Sequence, residues 1–154
     1  FQAAILILEM KAYYQTKNVT LKEVLKTLYD CHGFYYDAVT SIQFEGTQSE
    51  KKRDHVMQKI RTLTKSCLGK MDIVAKEDYL LNKRFHTDGS ITSLSLPASD
   101  VVRFIFKDGS EVAIRPSGTE PKCKIYYNLI AEDESKVMEK YKLIKQELES
   151  IIYE

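Results

Sequence analysis

The sequence predicts an α+β fold: a two-layer domain in which a mostly antiparallel sheet carries helices on one face, preceded by a helical segment of another domain. Three observations predict it. From about residue 44 the chain reads strand, helix, strands, hairpin, strand, helix, an order that layers helices onto an antiparallel sheet. Val102, Phe104 and Phe106 alternate with Val101, Arg103 and Ile105, and Cys123, Ile125, Tyr127 and Leu129 alternate with Lys124, Tyr126 and Asn128. That period of two marks strands with one buried face. Near the end, Val137, Tyr141, Ile144, Leu148 and Ile151 recur at helical spacing and give a closing helix one apolar stripe.

Taken in order, Phe1 to Tyr14 is rich in helix formers and has no Gly or Pro. Its apolar residues fall on nearly every side, so this helix needs neighbours all round. Thr20-Leu21-Lys22-Glu23 is a capping box that opens a second helix carrying Leu21, Val24, Leu25 and Leu28. Gly33 stops it by accepting a left-handed conformation. Phe34 to Glu45 favours an extended strand, and a domain boundary falls there, the strand either closing one domain or opening the next. Residues 46–50 turn. Lys51 to Cys67 reads as a helix with Val56, Ile60, Leu63 and Cys67 on one face, ended by Gly69. Met71 to Ala75 is a short strand, and Glu77 to Pro97 has weak periodicity with a turn at Asp88-Gly89. Strands Val101 to Lys107 and Glu111 to Arg115 are joined by Asp108-Gly109, both tolerant of positive φ. Lys122 to Ile130 is the next strand, and Ser135 caps the helix that runs to about Ile152.

Composition narrows the function. Of 154 residues, 44% are hydrophobic, enough for a core, and the net charge of +1 provides no global field for nucleic acid or an acidic membrane. The run from Ala3 to Leu8 is too short to span a bilayer. Three well-separated cysteines, Cys31, Cys67 and Cys123, fit reduced packing thiols of a cytoplasmic protein better than a disulfide framework. His32, His55 and His86 are isolated, and Lys51-Lys52-Arg53 reads as a solvated helix face. The chain starts at Phe1, inside an apolar helical pattern, and so reads as a piece of a longer protein.

The stretch with chemical character is Arg115-Pro116-Ser117-Gly118-Thr119-Glu120-Pro121-Lys122. Each proline fixes its own φ and biases the residue before it towards extended geometry. Between them Ser117, Gly118, Thr119 and Glu120 keep their amide donors, and Gly118 permits φ values that turn successive amides inward as an anion nest. Ser117 and Thr119 add hydroxyls, Arg115 adds a planar fork, and Lys122 and Lys124 stand on one face of the next strand. A Pro-Ser-Gly-Thr loop between strands is also an ordinary turn. No nucleophile–base pair accompanies it.

The octapeptide RPSGTEPK closely resembles the phosphate-binding signature in the last domain of the α-D-phosphohexomutases, the phosphoglucomutase/phosphomannomutase family. The flanking FIFKDGSEVAI, the strand KIYY and the closing helix are similar too. ILILEMKAYYQTKNVTLKEVLKTLYDCHGFYY resembles the helices that end the third domain of that family. The resemblance implies that residues 1–43 are the helical end of a sugar-binding third domain, and that 44–154 are a phosphate-binding fourth domain. It implies that the whole protein interconverts hexose 1-phosphate and hexose 6-phosphate by intramolecular phosphoryl transfer. The loop would then grip the phosphate that is not reacting, through Arg115, Ser117, Gly118, Thr119 and, from its charge and position, Lys122. The serine loop, the aspartate loop for Mg²⁺ and the sugar loop of the family have no counterpart here. The resemblance therefore implies no catalytic residue and no metal site in these residues, upstream domains of the same enzyme as partners, and no turnover by this chain alone. A stand-alone module that binds sugar phosphates without chemistry is the competing reading; near-neutral charge argues against a nucleic-acid-binding domain.

Overall fold

The structure is a computed structural model that describes residues 1–153. Helix α1 (Gln2–Gln15) is followed by α2 (Leu21–His32) and the long strand β1 (Phe34–Gln43). Then come α3 (Ser49–Thr62), β2 (Cys67–Leu68), β3 (Met71–Asp78), β4 (Lys83–His86) and β5 (Ile91–Ser93). Strands β6 (Val102–Phe106), β7 (Glu111–Pro116) and β8 (Lys122–Ala131) lead to the closing helix α4 (Glu134–Tyr153). The sheet runs β1-β8-β7-β6-β3-β4-β5, with β2 paired to β3, and every pairing is antiparallel.

The expected two layers are present. Val102, Phe104 and Phe106 of β6, Val112 and Ile114 of β7, and Cys123, Ile125, Tyr127 and Leu129 of β8 form one buried cluster with α3 and α4. Helix α3 contributes Val56, Met57 and Ile60; α4 contributes Val137, Ile144, Leu148, Ile151 and Ile152. Both helices therefore lie on one face. The alternate residues, among them Arg103, Glu111, Arg115, Lys124 and Tyr126, stand on the other face and keep contact with solvent.

The capping box of α2 forms as expected: the Glu23 amide donates to Thr20 Oγ1 at 3.3 Å, and the Thr20 amide to Glu23 Oε2 at 2.7 Å. Gly33 ends that helix as expected, but at φ 87° and ψ 169° rather than in the expected left-handed conformation, which passes the chain directly into β1. Strand β1 pairs with β8 from Phe34↔Ala131 to Gln43↔Lys122, so it is hydrogen-bonded into the sheet although the expected boundary at residue 43 places it with the preceding helices. Helix α1 buries none of its residues; Ile5, Leu6, Ile7 and Leu8 are each more than half exposed.

Several local expectations are corrected. Helix α3 ends at Thr62 because Leu63 is extended, and the Cys67–Leu68 segment expected at its end pairs with β3. Gly69 does not terminate a helix. With Lys70 it makes the two-residue turn between β2 and β3, both at positive φ, as a type I′ hairpin requires. A Cβ on Gly69 would lie 2.6 Å from the Ile144 backbone, so only glycine lets this turn meet α4. Strand β3 extends to Asp78, and β4 and β5 form where the sequence shows little periodicity. Helix α4 is capped by Asp133, whose Oδ1 accepts the Lys136 amide at 2.8 Å, rather than by Ser135. Of the three thiols only Cys123 packs in the core; Cys31 and Cys67 are exposed. Burial pushes the Cys123 thiol up to about 11.

Candidate functional site

Strand β7 has a connection at each end, and the two differ. At one end the turn from Phe106 to Ser110 reverses the chain into β7. At the other, residues 117–121 carry it from β7 into β8. The second is the candidate site.

Its shape is set by three backbone hydrogen bonds. The Ser117 amide donates across the loop to the Lys122 carbonyl at 2.8 Å, and the Lys122 amide donates to Glu120 O at 2.8 Å. From outside, the Phe44 amide donates to Pro121 O at 2.9 Å, so the chain leaving β1 holds one shoulder of the loop. The other shoulder is held by Arg53 in the first turns of α3. Its Nη1 donates to the Ser117 carbonyl at 3.3 Å while Nε and Nη2 donate to Asp54 Oδ1 at 3.0 and 2.8 Å. The Arg53 side chain keeps only 19% of its surface in solvent. The expected solvated face of Lys51-Lys52-Arg53 therefore splits: the two lysines are exposed, and Arg53 turns to the loop. No local pattern indicates this, because the partners are far apart in sequence.

With the shape accounted for, free donors are left over. Among the described residues, no hydrogen bond engages the amides of Gly118, Thr119 and Glu120 or the hydroxyls of Ser117 and Thr119. The Ser117 amide, expected in the nest, is used to close the loop instead. Gly118 and Thr119 are exposed, and Ser117 is half-buried. Five of the six glycines have positive φ; Gly118 is the exception. Its backbone therefore does not need glycine, contrary to the expectation, and a Cβ added there would meet no atom within 4 Å. What the missing side chain leaves is room for an outside group to reach the Gly118 and Thr119 amides closely.

Three cations, Arg115, Lys122 and Lys124, flank the loop on the two strands it joins. Arg115 is exposed, and neither an ion pair nor a hydrogen bond holds its guanidinium among the described residues. It pairs in register with Lys124, so both project from the solvent-open face of the sheet, as does Lys122 opposite Gln43. Lys122 is not free: its Nζ lies 2.5 Å from Glu120 Oε2 within the same loop. The structure thus brings Arg115, Ser117, Gly118, Thr119 and Lys122 onto one stretch of surface, with Lys122 already paired. Beside them, Gln43, Phe44, Glu45, Glu120, Pro121 and Lys122 line a recess of about 200 Å³. Three unengaged amides, two hydroxyls and an unpaired guanidinium give this loop a surplus of donors, with the Glu120 carboxylate taken up by Lys122, the chemistry of an anion site.

The remaining polar clusters are explained by folding. Asp78 is buried; Arg61 and the amides of Leu80 and Leu81 donate to its Oδ1, making a turn. Glu77 is buried beside Arg103 and accepts the Tyr79 hydroxyl at 2.7 Å. His86 meets Thr92 at 3.1 Å. Among the described residues, no three His, Cys, Asp or Glu gather as metal ligands, and no helix is long and apolar enough to cross a membrane.

Residues 68–142 match the family model of the phosphoglucomutase/phosphomannomutase C-terminal domain. The chain is 31% identical over 137 residues to a phosphoglucomutase of Staphylococcus saprophyticus, covering 88% of this chain and 25% of that protein. It is 37% identical over 122 residues to a phosphoglucomutase of Staphylococcus aureus strain USA300, covering 79% of this chain and 21% of that one. In fold it is similar to the crystal structure, in an open form, of the exocytosis-sensitive phosphoprotein pp63/parafusin, a phosphoglucomutase from Paramecium. The TM-score there is 0.50 at 22% identity, over 90% of this chain and 24% of that one. The chain spans about a quarter of the length of the relatives it matches.

Proposed function

The chain belongs to the phosphoglucomutase/phosphomannomutase family, whose C-terminal domain it carries, and on that premise we propose that the loop from Arg115 to Lys122 grips a phosphate group of a hexose phosphate. The observation that carries this reading is the surplus of donors: three unengaged amides, two hydroxyls and one unpaired guanidinium on one exposed loop. A phosphate monoester offers three acceptor oxygens and close to two negative charges near neutral pH. Arg115 supplies a planar fork to two of those oxygens, and the amides of residues 118–120 with the hydroxyls of Ser117 and Thr119 take the remaining lone pairs. Lys122, tethered to Glu120, adds positive charge from the rim rather than a first contact.

In the whole protein this grip would serve the interconversion of hexose 1-phosphate and hexose 6-phosphate by intramolecular phosphoryl transfer, making it an isomerase. The loop would hold the phosphate that is not reacting and so position the other one for transfer, a contribution of orientation rather than of bond making. No residue here is assigned a catalytic role, and the phosphoryl-transferring groups and sugar-recognising groups would come from upstream domains of the same enzyme. The Mg²⁺ implied for the family has no ligand set among the described residues. A cytoplasmic setting belongs to the same proposal, since a reducing compartment keeps three thiols free.

Isothermal titration of the 154-residue chain with glucose 1-phosphate tests the grip. Binding that is lost in Arg115→Ala, in a chain that remains folded, supports it. Equal binding by that variant would reduce the loop to a turn. A coupled assay on the same chain should detect no mutase turnover.

A further inference from the structure

Arg53 approaches the loop from the helix layer, and its role follows from peptide geometry. Among the described residues no peptide bond is cis. In a trans peptide unit the carbonyl and the following N–H point in opposite directions. The unit joining Ser117 to Gly118 carries the Ser117 carbonyl at one end and the Gly118 N–H at the other. Arg53 holds that carbonyl towards α3. The Gly118 N–H must then point away from α3, into solvent, where no side chain of residue 118 blocks it.

We propose that Arg53 is the positioning residue of the phosphate grip: by holding the Ser117 carbonyl it aims and polarises the Gly118 amide as an anion donor. This rests on the phosphate-binding reading above. A cation on the carbonyl oxygen of a peptide makes its N–H a better donor, because linked hydrogen bonds polarise one another. Asp54 fixes the guanidinium through Nε and Nη2, leaving Nη1 for the loop. The Ser117 amide, bonded to Lys122 O, fixes the preceding peptide unit. With Phe44 on Pro121 O at the far shoulder, the loop is held from behind at two points, one from the segment that follows β1 and one from the first turns of α3. Arg53 itself would not touch the anion.

The test uses inorganic phosphate as the probe and the 154-residue chain in three forms: wild type, Arg53→Met and Arg53→Lys. Methionine keeps most of the side-chain length and removes the donors; lysine restores one cationic donor. Affinity is measured by titration calorimetry and the Gly118 amide resonance by nitrogen–proton correlation spectra, which also report folding. The proposal expects Arg53→Met to bind phosphate about tenfold or more weakly, as loss of one charge-assisted donor set implies. It expects the Gly118 resonance of the free protein to move, and Arg53→Lys to recover part of the affinity. A purely structural role would lower the melting temperature and leave phosphate affinity and the Gly118 resonance alone; that result overturns the proposal. If Arg53→Met does not fold, Arg53→Lys decides: weaker binding supports the proposal and wild-type affinity overturns it. Failure of the wild-type chain to bind phosphate would overturn the grip itself, a different outcome from wild-type binding that ignores Arg53.

Discussion

The two connections of β7 are close in length and opposite in character. In the turn at residues 107–110 most polar groups are engaged, partly within the turn and partly with β3, β8 and α4. The Gly109 amide donates to Phe106 O and the Phe106 amide to Ser110 O, while the Ser110 amide donates to Asp108 Oδ1 at 2.9 Å. Ser110 Oγ accepts the Ile130 amide at 2.9 Å, and the Lys140 ammonium donates to Asp108 Oδ2 and to Ile130 O. Gly109 needs its glycine, at φ 85°. In the loop at residues 117–121 hydrogen bonds engage the Ser117 amide and the Ser117, Glu120 and Pro121 carbonyls, none engages the amides of residues 118–120, and Gly118 does not have a positive φ. The turn at residues 107–110 is tied to β3 by the Lys107 amide, to β8 by the Ile130 amide and to α4 by Lys140. The loop at residues 117–121 leaves three amides and two hydroxyls unengaged and is held by Arg53 and Phe44, the pattern the proposed grip requires.

The contrast can be broken by substitution at either end, starting with the largest effect. Arg115→Ala should weaken glucose 1-phosphate binding about 100-fold, the loss of a bidentate charge-assisted contact, with no change in melting temperature because Arg115 is exposed and unpaired. A titration and a thermal melt on the same sample check both halves. Ser110→Ala should do the reverse. It leaves the Ile130 amide without its acceptor at a site where Ser110 is fully buried, costing about 1–3 kcal/mol in urea unfolding with affinity intact. The paired glycines sharpen this further. Gly109→Ala should destabilise by about 1 kcal/mol through its positive φ. Gly118→Ala should leave stability within about 0.5 kcal/mol of wild type and weaken phosphate binding severalfold by crowding the amides. A destabilised but normally binding Gly118→Ala would contradict the account.

The smallest effect is acid dependence. Burial raises the Asp108 pKa, but hydrogen bonds from Lys140 and from the amide and hydroxyl of Ser110 outweigh that and hold it below its ordinary value. A carboxyl depressed in the folded state adds stability that is present above its unfolded pKa, about 4, and lost as pH falls through the folded value. Urea midpoints measured downward from about pH 5 should therefore fall less in Asp108→Asn than in wild type.

How far the sequence could be read follows the same division. The loop was legible because its chemistry is local: two prolines, a glycine, two hydroxyls and a cation lie within eight consecutive residues. The β6–β7 hairpin and the α2 capping box were legible for the same reason. Arg53 was not, because nothing in Lys51-Lys52-Arg53 distinguishes the cation that will meet Ser117 from the two that face water. Strands β4 and β5 were missed because a few residues at a sheet edge show too few alternations to count. The end of α3 was overrun because Leu63 and Cys67 continue its apolar spacing while the backbone turns to pair with β3. The Gly118 φ was misjudged because glycine serves two purposes, backbone freedom and open space, and sequence does not separate them. Ser135 lost the α4 cap to Asp133, whose carboxylate is the stronger acceptor for the first amides.

The most direct measurement is a nitrogen–proton correlation titration of the wild-type chain with glucose 1-phosphate, comparing the two connections of β7 in one spectrum. The account predicts that the amides of Gly118, Thr119 and Glu120 shift to saturation while those of Gly109 and Ser110 do not move. Saturable shifts that leave residues 118–120 unmoved, or no binding at all, would contradict it.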